Sequence, residues 1–161
     1  MQMGTIAELA TEVQNVSGYG NVPKTELIRA WAATAYGKVA NTDAEVTVRV
    51  VDEEDGRQLN MQYRNQPAAT NVLSFPFEDP PGMKTKILGD IVLCAPVISR
   101  EALDQGKPLA AHWAHMIVHG VLHLCGYRHD VENDADLMEQ LEAQIIEQIG
   151  FTNPYTEIDG Q

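Results

Sequence analysis

The chain has 161 residues, 44% of them apolar and 21% charged, so it can bury a core without disulfides and does not have the composition of a disordered protein. A formal net charge of −12 argues against gripping nucleic acid through the whole surface, because phosphate contacts need a basic face. Two cysteines, no apolar run near the roughly 20 residues of a membrane span, and a start "MQMGTIAELA" unlike a signal peptide make a cytoplasmic protein the expectation.

No repeat, low-complexity tract or break in composition divides the sequence, which reads as a single domain over 1–161. Thr5 to Val13 is ambiguous between strand and helix. Ser17 to Pro23 is a loop, with Pro23 suited to the first turn of a helix that carries Leu27, Ile28, Trp31, Ala32, Ala35 and Val39 on one face. "EVTVRVVD" alternates Val46, Val48 and Val50 with Thr47 and Arg49, the pattern of a half-buried strand. Gly56 to Arg64 reads as a short helix. Thr70 to Phe77 reads as a strand at a sheet edge, since prolines at 76, 80 and 81 cannot donate to a ladder. Leu88 to Ala95 is a further strand, and Pro96 opens a helix to about Gln105. A long helix follows from about Leu109 to Leu124, ended by Gly126, and a last helix runs to about Gln148 behind an acidic lead. The class is α+β: about four strands in a mixed sheet, with several helices packed on it.

The chemistry concentrates in "HGVLHLCGYRH", residues 119 to 129. Residues four apart on a helix share a face, so His119 and His123 can offer two imidazoles to one ion at the end of this central helix. Gly126 permits a sharp turn that brings His129 back as a third ligand and leaves a fourth position open, as in catalytic zinc sites. The helix also carries His112 and His115, but His112 and His123 are roughly 16 Å apart along the axis and cannot share an ion. These two are expected behind the ligands or at the core edge. Cys125 projects off the ligand face and Cys94 alternates into a strand, so both read as packing residues. In metzincin proteases a glutamate follows the first histidine and serves as general base. Here that residue is Gly120, which argues against a protease of that kind and leaves phosphoryl chemistry open.

The motif resembles the signature of the YbeY family, bacterial zinc-dependent endoribonucleases of ribosomal RNA maturation. "EVTVRVVDEE", "LNMQYRNQPAATNVLSFPFE", "LGDIVL" and "GKPLAAHWAHMIVHG" are similar to family segments in family order, so the likeness runs from about Asp43 to the final helix. The resemblance implies His119, His123 and His129 as zinc ligands, Arg64 as the functionally important arginine, and a metal cleft between the sheet and the motif helix. It also implies cleavage of single-stranded RNA, 3′-end maturation of small-subunit ribosomal RNA, and ribosome quality control. The partners it implies are the small ribosomal subunit and its associated proteins, with neither DNA nor membrane expected. Imidazole ligands suit nickel and cobalt as well as one zinc ion per chain. The family usually has Asp before the third histidine, where this chain has Arg128.

An acidic ribonuclease must name its positive groups, and Arg64, Lys84, Lys86, Arg128 and the ion itself are the candidates. For Arg64 the competing reading is an ion pair with one of the many carboxylates. Asp90, the neighbours of His129 and, more weakly, His115 are candidate general bases. Two other functions stay open: a metal-dependent hydrolase of another substrate, and a non-catalytic assembly factor stabilised by zinc.

Overall fold

In the computed structural model, which describes residues 7–127 and 132–155, the ambiguous first segment is strand β1 (Leu9–Asn15). Its pairing with β2 (Ala44–Val51) is parallel and spans its whole length, from Leu9 opposite Ala44 to Asn15 opposite Val50. The connection between them is helix α1 (Thr25–Val39), the crossover that a parallel pair requires. Pro23 stands just outside this helix, and Lys24 is the N-cap whose carbonyl accepts from Leu27 and Ile28.

Helix α2 (Glu53–Arg64) begins before the expected Gly56: the Asp52 carbonyl already accepts from Gly56, and Glu53, Glu54 and Asp55 place negative charge at the positive end of the helix dipole. Strand β3 (Val72–Pro76) is an edge strand, antiparallel to β4 (Ile87–Cys94), and Pro76 ends it as its missing N–H demands. Ala95 already belongs to α3 (Ala95–Gln105), which closes on Gly106 in the left-handed conformation. Helix α4 (Leu109–Leu124) and helix α5 (Glu132–Ile149) complete the α+β fold. The four-stranded mixed sheet has the order β1-β2-β4-β3.

Period-two alternation turns Val46, Val48, Val50, Ile91 and Leu93 toward α1 and α4, where they meet Ile28, Trp31, Trp113, Ile117 and Val121. Eleven of the sixteen residues of α4 are buried, so it is a core helix with its end at the surface. On the opposite face α2 and α3 cover only part of the sheet, over a smaller cluster of Val51, Leu73, Val92, Cys94 and Val97. Thr47 and Arg49 of β2 lie on that partly open face, Thr47 half-buried and Arg49 exposed.

Candidate functional site

His119 and His123 sit one turn apart on α4, both half-buried, with rings nearly parallel at 15° and centroids 6.3 Å apart. The helix stops directly after them. Gly126 has φ 101, a left-handed value that glycine adopts without steric penalty, and the N–H of Tyr127 returns to the carbonyl of Leu122. The expected turn is therefore present. His129 and Arg128 lie outside the described residues, and among the described residues no group of three His, Cys, Asp or Glu is arranged to hold a metal.

Arg64 reaches the same place from a distant part of the chain. It is the last residue of α2, and Asn65 after it takes a left-handed conformation whose N–H caps the helix on Met61. The buried Asn60 side chain donates to the carbonyl of Ala68 at 2.6 Å and ties down the loop that follows. Arg64, Tyr63, Val72 to Pro76, His119, His123 and Gly126 line one cleft of about 720 Å³. Among the described residues no carboxylate lines it. Among the described residues Arg64 makes no ion pair, so its guanidinium fork faces the cleft uncommitted.

Behind the histidines lies a residue that sequence reasoning missed. Glu142 of α5 is 1% exposed, yet it carries a charge. Burial pushes its carboxyl up, but hydrogen bonds from His115 and His119 outweigh that and hold it down to about 2. An ionised carboxylate only accepts, so the histidine nitrogens that face it carry protons. His119 Nδ1 donates to Oε2 at 2.6 Å, His115 Nε2 donates to Oε1 at 2.8 Å, and the Tyr155 hydroxyl donates to the same Oε1. The contact is made through Nδ1 and so leaves Nε2 as the nitrogen that would ligate a metal; a carboxylate behind a ligating histidine is the usual arrangement. The described pair supplies two nitrogen donors of the kind zinc takes. A sequence signal existed: Glu142 falls on the face of α5 that buries Met138, Ile145 and Ile146, where an unpaired acid would not be tolerated.

The remaining candidates divide clearly. His115 is buried as a support for Glu142 and does not line the cleft. His112 is also buried and meets Glu101 at 2.8 Å, while Asn71 at the start of β3 donates to the same carboxylate. Asp90 is exposed and opens into a neighbouring hollow instead of the cleft. Lys84 and Lys86 are exposed outside the cleft lining. Cys94 is buried, and Cys125 packs against the core with its thiol pushed up to about 11 by burial. Gly120 has a packing reason. A Cβ there would lie 3.0 Å from Ile91 Cγ2, so the position where proteases carry glutamate faces the sheet at closest approach.

Fold and cleft together describe a small α+β protein with a histidine pair and an open arginine in one hollow. Residues 12–150 match the family described as Endoribonuclease YbeY, and the chain belongs to that family. Its class is accordingly that of enzymes that cut RNA within the strand. Among solved structures it is similar to TM1509 from Thermotoga maritima, a solution structure, with 22% identity and a TM-score of 0.59 over 90% of this chain and 99% of that one. That likeness bears on the fold. No helix among the described residues is long and apolar enough to cross a membrane.

Proposed function

We propose that the protein is a zinc-dependent endoribonuclease that cuts single-stranded RNA in ribosomal RNA maturation and ribosome quality control. It would act in the cytoplasm at the 3′ end of small-subunit ribosomal RNA, with the small subunit and its proteins as partners. One observation carries the chemistry: an uncommitted arginine and a histidine pair share a cleft whose described lining has no carboxylate. Among the described lining groups a phosphodiester meets the Arg64 guanidinium and no carboxylate, whereas a peptide meets no described glutamate to move its protons.

His119, His123 and His129 would hold the ion, which when bound supplies Lewis acidity to water and to a phosphate oxygen. The residues of the chain do the rest. Glu142 orients His119 through Nδ1. Arg64 offers paired donors that match two non-bridging phosphate oxygens and stabilise the charge that builds there. The attacking oxygen is that of water or of the RNA's own 2′-hydroxyl. Val72, Leu73 and Phe75 keep the cleft wall apolar, which strengthens each charge contact inside it.

The test is cleavage of a labelled single-stranded RNA by metal-quantified preparations of wild type, His123→Ala and Arg64→Ala. Wild type should cut. Arg64→Ala should stay metal-loaded and lose about 10²-fold in rate, by analogy with the removal of one charge-stabilising donor. His123→Ala should lose both metal and activity. Equal cutting by all three would assign the activity to a contaminant and leave the zinc-stabilised assembly factor as the reading.

A further inference from the structure

The sequence has six arginines, and their engagements separate them. Arg29 donates to the carbonyl of Thr11, Arg57 pairs with Glu54, and Arg100 pairs with Glu53. Among the described residues, Arg49 and Arg64 alone have no such partner. Arg64 lines the cleft and Arg49 the hollow next to it, where Asp90 also lies.

The two hollows adjoin. The first is the cleft of Arg64, His119 and His123. The second, of about 470 Å³, lies on the open sheet face and is lined by Gln14, Thr47, Arg49, Asp90 and neighbouring apolar groups. Tyr63 and Phe75 line both hollows and form the ridge between them, with ring centroids 5.0 Å apart and planes at 60°. Tyr63 is 58% exposed. A lone exposed tyrosine would need no explanation. This one is adjacent in sequence to Arg64, buttressed by a second ring, and flanked by polar groups of both kinds.

We propose that the Tyr63–Phe75 ridge and the hollow beyond it are a nucleotide-stacking subsite for the RNA strand next to the scissile phosphate. One base stacks on the exposed Tyr63 ring. Its polar edge turns to the sheet face, where Arg49 and Thr47 donate and Asp90 accepts. Gln14, which gives one amide N–H to Glu12 at 2.5 Å, adds its carbonyl oxygen as a further acceptor. Every base has a face to stack and an edge with donors or acceptors, and only an unpaired strand exposes both. Arg64 on the cleft side and Arg49 on the sheet side thus bracket one stacked nucleotide. An acidic protein thereby holds RNA with little positive charge, since stacking replaces part of the phosphate contact. Such a subsite would select single strands.

The subsite rests on the ribonuclease reading of the neighbouring cleft, and the test keeps the two apart. Wild type, Tyr63→Leu, Tyr63→Phe and Arg49→Gln, each with measured zinc content, are assayed on a single-stranded RNA and on a set carrying one abasic nucleotide at successive positions around the cut. On the intact RNA, Tyr63→Leu should lower kcat/KM about tenfold while Tyr63→Phe keeps most of the activity. One abasic position should lower the wild type by a similar factor. Tyr63→Leu should add nothing to that loss, and Arg49→Gln should be felt at the same position or the next. A loss of equal size on every RNA would mean that Tyr63 only positions Arg64 and would overturn the subsite. So would wild-type behaviour of Tyr63→Leu on an RNA that the enzyme cuts, with the ribonuclease reading left standing. Wild-type protein that is zinc-loaded and cuts no RNA would overturn both.

Discussion

Glu142 is the residue on which the candidate metal centre turns, because a charge this deeply buried depends on the donors around it, His119 and His115 first among them. Glu142→Gln should bind zinc about tenfold or more weakly in a chelator competition. Tyr155→Phe should bind zinc nearly as wild type does, since the His119 contact remains. Equal affinities in all three proteins would show that the carboxylate does not tune the site. His112 makes a different prediction. Burial holds its imidazole below the ordinary 6.5, against the pull of Glu101, so the unfolded chain takes up the proton more readily than the folded one. Its contribution to stability is complete above about pH 6.5 and is lost as the pH falls from there toward the folded value. Urea unfolding followed from pH 7.5 downward should show that decline, and His112→Gln, which keeps a donor for Glu101, should flatten it.

At the scale of elements, α4 and β4 approach closely because Gly120 has no side chain to hold them apart. Gly120→Glu would drive a carboxylate into Ile91, which is fully buried, and should destabilise the domain by about 3 kcal/mol or more in chemical denaturation. It should create no peptidase, since position 120 faces the sheet and not the cleft. The end of α2 is the other sensitive junction. Asn65 has φ 55, so Asn65→Gly should be neutral or stabilise by a few tenths to about 1 kcal/mol. Asn65→Val should lose about 1–2 kcal/mol and depress RNA cleavage beyond what unfolding accounts for, because Arg64 is its neighbour. If the two variants cleave alike at a temperature where both are folded, the cap does not aim the arginine.

For the whole molecule, the question is whether zinc builds the fold or only equips it. The larger core cluster runs from Ile28 through Val48 and Ile91 to Ile146, and His119 and His123 are not among its buried members. Chelation should therefore leave the far-ultraviolet circular dichroism and a cooperative unfolding transition in place, with Tm lowered by the lost binding free energy. Loss of cooperative unfolding on chelation would favour the structural-zinc reading. RNA binding should also depend weakly on salt. Two arginines and one ion amount to about three phosphate contacts, giving a slope near −2 in log K against log salt for a single strand. A much steeper slope would point to a basic surface that this acidic chain has not revealed.

The sequence alone determined whatever depends on short spacings. Period-two valines marked β2, the histidine spacing and Gly126 marked the end of α4, and the prolines marked the β3 edge, because those patterns act through neighbouring residues. It missed the early start of α2, where a run of acids serves the helix dipole rather than a loop, and it could not decide β1, whose parallel pairing needs a partner 35 residues away. The resemblance named Arg64, but only the tertiary structure carried it from the end of α2 into the cleft of His119 and His123, with no carboxylate among its described neighbours there. The helical spacing of α5 hinted that Glu142 is buried, but its partners, like the Tyr63–Phe75 ridge, were decided in three dimensions. A buried acid and an exposed ring become informative only through what lies against them, and those neighbours come from other helices and strands.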